Sequence, residues 1–186
     1  MKNWLAIPVL ISSITAQAQS GRISVQPEMG HPACFKRVYT DDELRSQPKQ
    51  LVSSLYVIVE RSKHDPEVDV DMHKAEVFGY RNGQLFTNRE PLCEFKADGS
   101  SNCFVECDGG SFDLLPRNGH ALFKVTEDYY FPLFLDGKNR SSARTRDTIS
   151  LDANDRANRL FKLYPVPFSE CATIKQKASR IRPASC

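Results

Sequence analysis

Short apolar runs broken by turn residues set the rhythm of this chain. Residues 51–60, LVSSLYVIVE, are rich in β-branched and aromatic side chains, as a strand requires. Alternation puts Leu55, Val57 and Val59 on one face and Tyr56 and Ile58 on the other, which predicts a central strand. From Val68 onward the turn signals Asn82-Gly83, Asp98-Gly99, Asn118-Gly119 and Asp136-Gly137 recur at a near-regular interval. Asn, Asp and Gly tolerate the positive φ of tight hairpin turns, so each pair predicts a short strand on either side. The clearest hairpins join residues 78–81 to 84–87 and residues 112–115 to 121–125. A later strand is expected at 160–166, with Pro165 and Pro167 confining its end to a sheet edge.

Helical signals are few. Thr40-Asp41-Asp42-Glu43 is a capping box, and the helix it opens ends before Pro48, which pushes Gln47 out of the α region. Residues 169–178 suit a second short helix, while 19–33 and the polar stretch 138–155 read as irregular connections. Consecutive hairpins predict a mostly β fold. It is an antiparallel meander closed as a small barrel or packed as a sandwich, with one or two short helices.

The chain begins with a different pattern. Lys2, the apolar run 4–14 and Ala16-Gln17-Ala18 have the form of a signal peptide spanning 1–18 with cleavage after Ala18. No later stretch reaches the roughly 18 apolar residues of a membrane helix. The expected organisation is a signal peptide at 1–18, one β-rich domain at 19–178 and a flexible basic tail at 179–186. A formal net charge of +2 gives no basic excess of the kind nucleic-acid binding shows.

Export changes how the six cysteines are read. In an oxidising compartment they predict disulfides, and no C-x-x-C or neighbouring histidine suggests a metal or redox motif. A turn at Asp98-Gly99 places Cys93 opposite Cys103, which predicts a cross-strand bond. Cys103 and Cys107 on one extended strand stand roughly 13 Å apart, against about 5.5 Å for a disulfide, so each must pair elsewhere. Six cysteines permit fifteen connectivities and the sequence does not choose among them; Cys34 and Cys171 could tie the two ends of the domain together. Cys107 is expected to pair with a cysteine distant in sequence, and Cys186, the last residue, is the one apt to be left over. Gly109-Gly110 predicts a bend or a close approach to a neighbouring chain segment.

The pieces C-F-K-R-V-Y and P-K-Q-L-V within 34–52, C-F-V-E-C-D-G-G-S-F at 103–112 and R-L-F-K-L at 159–163 occur together here. As a set they resemble a family of small exported proteobacterial proteins of no assigned function, over most of the chain after the signal peptide. The resemblance implies a periplasmic or secreted setting and assigns no functional residue.

Candidate chemistry is sparse. Strand alternation puts Asp69, Asp71 and His73 on one face, ligand types suited to a divalent cation. Neighbours on that face stand about 6–7 Å apart, too wide for one tight site, so a solvated strand face is expected and no metal. The run from Asp108 to Asp113 lacks the alternating ligands and closing Glu of an EF-hand loop. No G-x-S-x-G elbow is present, and nothing selects a triad partner among His31, His64, His73 and His120. Arg140, Arg144, Arg146, Arg156 and Arg159, with Lys175, Lys177, Arg180 and Arg182, make the late chain basic. Such residues suit acidic lipid head groups, glycans or a partner protein, or simply solvated loops. Tyr129, Tyr130, Phe131 and Phe134 form an aromatic cluster that suits an interface, a ligand cavity or the core, and Pro132 within it interrupts the ladder and places the segment at a sheet edge. The expectation is an exported binding protein without cofactor, its partner an envelope protein, a glycan or a small molecule. A small-molecule carrier with an apolar barrel cavity is the alternative, and a hydrolase the third reading.

Overall fold

Each Asn-Gly and Asp-Gly signal lies at a turn. The computed structural model describes residues 21–61, 72–106, 109–126, 129–138 and 143–178. In chain order these form β1 (Ala33–Val38), α1 (Asp41–Ser46), β2 (Ser54–Arg61), β3 (Met72–Arg81), β4 (Gln84–Asn88) and β5 (Leu92–Phe95). There follow β6 (Ser101–Phe104), β7 (Ser111–Arg117), β8 (His120–Val125), β9 (Tyr130–Leu135), β10 (Thr148–Asp152), β11 (Leu160–Pro165) and α2 (Phe168–Lys177). At the β3–β4 turn Asn82 and Gly83 have φ of 51° and 76°, the double positive φ of a tight hairpin. Arg81 consequently pairs with Gln84, in the register expected.

Eight antiparallel strands close on themselves in the order β1, β2, β3, β5, β6, β7, β8, β11 and back to β1. The fold is therefore a barrel. Closure depends on the length of β3, which pairs with β2 from Tyr80 to His73 on one side. On its other side Met72–Lys74 pairs with β5 to shut the barrel, while Val77–Arg81 pairs with β4. The chain thus branches at β3, and β4, β9 and β10 form a three-stranded extension.

Inward positions follow the alternation in the sequence. Leu55, Val57 and Val59 of β2 point into the main core with Phe35, Phe112, Phe123 and Phe161, all at most 1 % exposed. Phe131 and Leu133 of β9 enter the same core, so the extension folds back against the barrel. Phe112 stacks on Phe123 at 4.3 Å, and Phe131 meets both rings edge-on at 4.8 and 5.8 Å. Burial of each such side chain stabilises the fold by about 1.5–3 kcal/mol. Gly110 permits this approach: a Cβ there would stand 1.8 Å from the Tyr130 carbonyl oxygen, and its φ is 83°. The close approach expected of Gly109-Gly110 is thus made to β9.

The outward face of β2 and β3 carries Ile58 and Phe78, and α2 covers them with Ile174, Ala178 and Cys171. Cys171 is bonded to Cys34 of β1, joining residues 137 apart in sequence. The second disulfide, Cys93–Cys103, bridges directly opposed residues of β5 and β6. The Cys93–Cys103 pairing matches expectation, and Cys34–Cys171 is one of the connectivities the sequence left open. Cys107 and Cys186 lie outside the described residues, as do the stretches 1–18 and 179–186 expected to be a signal peptide and a basic tail. Helix α1 buries no residue, so it depends on its caps. Thr40 N–H donates to Glu43 Oε2 at 2.8 Å, Glu43 N–H donates to Thr40 Oγ1 at 3.3 Å, and the helix stops at Gln47.

Three expectations need correction. Strand β11 is not at an edge: it lies between β1 and β8. It pairs with β8 through Leu160–Leu163 and with β1 through Tyr164 and Pro165, so the proline sits where β8 has already ended. Strand β9, with Pro132, is likewise internal to the extension, between β4 and β10. Its backbone pairing with β4 covers only Phe134 and Leu135, and beyond that the Asn88 side chain donates to the Pro132 carbonyl at 2.9 Å. The polar stretch 138–155 contains a strand, β10, whose Ile149 and Leu151 are buried in the core.

Candidate binding surface

The sheet branch presents two different surfaces at its two ends. At one end Tyr130 opposes Asp152, and at the other Phe134 opposes Thr148. The two ends of the six-residue β9 stand five residue steps apart, about 17 Å.

At the first end, the aromatic cluster divides by alternation. Phe131 is fully buried and Phe134 is 8 % exposed, whereas Tyr129 and Tyr130 are 55 % and 44 % exposed. Their backbone is held firmly: Tyr129 N–H donates to the Thr126 carbonyl, and Ala153 N–H donates to that of Tyr129. Tyr130 is backed by Gly110. The two tyrosines therefore stand on a fixed backbone, a low-entropy way to present contact surface. The carboxylates of Glu106 and Asp152 belong to the adjoining segments.

At the second end, the Arg81–Gln84 turn meets the 3-10 turn Thr145–Asp147 that leads into β10. Between them is an open cleft of about 600 Å³, lined by Arg81, Asn82, Gln84, Phe86, Thr145 and Arg146. Arg146 came from the basic connection singled out in the sequence. Arg81 had no such signal, because only the sheet branch brings it to residue 146. Of the other basic candidates, Lys175 is paired. Burial opposes its charge, but hydrogen bonds and charge from Glu60 at 2.6 Å and Glu76 at 3.0 Å outweigh this and raise its pKa above 10.5. Arg89 also bonds Glu76, at 2.7 Å. This network holds α2 to the barrel and is committed to structure. Arg144, Arg156 and Arg159 lie on the surface, whereas Arg140, Arg180 and Arg182 fall outside the described residues.

His73 departs from expectation. It is 1 % exposed, inside the barrel, and stacks on Phe95 at 3.8 Å between ring centres. The reason is register: His73 shares its face with Ala75 and Val77, which belong to the core. Asp69 and Asp71 lie outside the described residues. Nearby, a cleft of about 590 Å³ has a lining of mixed charge that includes Glu28, Arg61 and Glu94. His120 Nδ1 lies 2.9 Å from the Asn118 carbonyl and bonds no carboxylate among the described residues.

Searches of protein-family models, of curated proteins and of solved structures find no match to the chain.

Proposed function

We propose that this is an exported, disulfide-braced binding module that acts through its surface and turns over no substrate. Its setting on this reading is the bacterial periplasm or the exterior, reached by removal of residues 1–18. One observation carries the surface reading. Phe112, Phe123, Phe131 and Phe161 have no accessible surface, so no void large enough for a water molecule touches them. A carrier would need an apolar space along the axis these rings fill. The two disulfides agree with an oxidising compartment.

The contact surface on this proposal is the Tyr129–Tyr130 end of β9, facing an envelope protein, glycan or small molecule. Tyrosines with exposed rings on a fixed backbone are typical anchors, and truncating an anchor weakens binding by more than about 1 kcal/mol. Tyr129→Ala and Tyr130→Ala should each melt close to the parent, while the double variant loses partners captured from a native envelope extract. A large fall in melting temperature for Tyr130→Ala would instead make that ring part of the core. Unchanged capture by the folded double variant would remove the tyrosines from the contact.

A further inference from the structure

The arginines at the opposite end of the extension are not absorbed by that reading. Arg81 ends β3, Arg146 sits in the 3-10 turn before β10, and the two line one cleft. No carboxylate is among the described residues that line it. Among the described residues Arg81 has no side-chain hydrogen bond or ion pair. The Nε of Arg146 is 3.9 Å from Asp147, at the limit of an ion pair. That carboxylate is already engaged by the Arg144 backbone N–H at 3.2 Å. Two cations from distant parts of the chain therefore face one space with little to neutralise them. Guanidinium groups bind carboxylates and phosphates through paired N–H donors.

The remaining lining says more about the occupant. Among the described residues the side chains of Asn82, Gln84 and Thr145, all exposed, have no hydrogen-bond partner and are free to meet a ligand. Amides and a hydroxyl both donate and accept, as sugar hydroxyls require. Phe86, 3 % exposed, supplies an apolar base. The two walls are rigid: one is a tight Asn-Gly hairpin, and the other is closed by Thr148, whose N–H donates to the Thr145 carbonyl and whose Oγ1 donates to that of Arg144. A volume of about 600 Å³ lies within the roughly 300–1,000 Å³ of small-molecule sites.

We infer that the Arg81–Arg146 cleft binds a sugar bearing an oxyanion, either a carboxylate or a phosphate. The arginines hold the anion, and Asn82, Gln84 and Thr145 bond the ring hydroxyls. The inference does not rest on the tyrosine surface, and either can fail alone. It is tested on the oxidised full domain by following backbone amide shifts as glucuronate, glucose 6-phosphate, glucose and inorganic phosphate are added in turn. One or both acidic sugars should shift the amides of Asn82, Gln84 and Thr145 saturably. The responding sugar identifies the anion. Glucose should shift nothing, and inorganic phosphate should bind at least about fivefold more weakly, as expected when part of the free energy comes from hydroxyl contacts. Arg81→Ala with Arg146→Ala should weaken binding at least about tenfold, the loss expected of removing two charge-assisted contacts. Arg117→Ala, an exposed arginine elsewhere, should leave it unchanged. Shifts spread over the whole surface, equal binding of phosphate and sugar, or binding that survives the double variant would each overturn the inference. So would the absence of any saturable shift.

Discussion

Asn158 is fully buried, and its amide is used at both ends. Its Oδ1 accepts from the Leu51 N–H at 2.8 Å, and its Nδ2 donates to the Lys49 carbonyl at 2.8 Å and to Asp155 Oδ2 at 2.7 Å. One side chain thereby ties the segment before β2 to the segment before β11. Asn158→Ala would remove these partners from the half-buried Leu51 N–H and from the carbonyl of exposed Lys49, at about 1–3 kcal/mol in all. Urea unfolding should show a loss of at least that size with an unchanged slope. Asp155 adds a pH signature. The bond from Asn158, then that from the Ala157 N–H, favours the charged carboxyl and holds it below the 3.8 of a free aspartate. A carboxyl depressed on folding contributes stability that is present above the unfolded value and lost as pH falls through the folded one. Melting temperature measured from pH 6 downward should therefore fall less steeply below about pH 4 in Asp155→Asn than in the parent. Equal slopes would show that the two bonds do not favour the charged form.

Among the elements, α2 is the most dependent on a covalent tie. It buries only Cys171 and Ile174 within its span, and it is held by the Cys34–Cys171 bond, the Lys36–Glu170 pair and the Lys175 network. Chain entropy gives about 5 kcal/mol for a loop of that length and about 3 kcal/mol for the ten-residue loop of Cys93–Cys103. Replacing Cys34 and Cys171 with Ala should therefore lower stability more than replacing Cys93 and Cys103. The reverse order in denaturant titrations would mean that the hairpin bond compensates for strain or packing elsewhere. The same elements show what the sequence made legible. Hairpins were readable because Asn-Gly and Asp-Gly require little but local chemistry, and α1 because Thr40 and Glu43 satisfy each other. Strand β10 was not, since only Ile149 and Leu151 mark it within a polar stretch, and neighbouring strands supply the rest. The proline rule misplaced β9 and β11 because it concerns a missing N–H, which needs only a local absence of a partner. Each strand supplies that absence at one point while lying inside the sheet. His73 was misplaced because its inward face is set by Ala75 and Val77, beyond the polar segment in which it was read. Of the Arg81–Arg146 cleft only Arg146 carried a sequence signal, because the branch at β3 alone brings Arg81 to it.

For the whole molecule, four of the six cysteines pair within the described residues, which leaves Cys107 and Cys186 as each other's remaining intramolecular partner. Non-reducing peptide mapping of the monomer should recover them in one bonded pair. A free thiol at either position, or a dimer lost on reduction, would instead leave the tail unattached to its own domain. The larger matter is where the molecule can receive anything. A barrel of eight strands is just wide enough for side chains to fill or for one small ligand to enter. Here Phe112, Phe123 and Phe161, with Phe131 from the extension, meet ring to ring and fill that interior, and the proposed function accordingly puts recognition on the outside. Apolar cavities stay dry and take up xenon, so crystals under xenon pressure report directly on that space. The account predicts no xenon along the barrel axis and sites, if any, only at the surface. An ordered xenon atom in contact with Phe112, Phe123 or Phe161 would contradict it and restore the carrier.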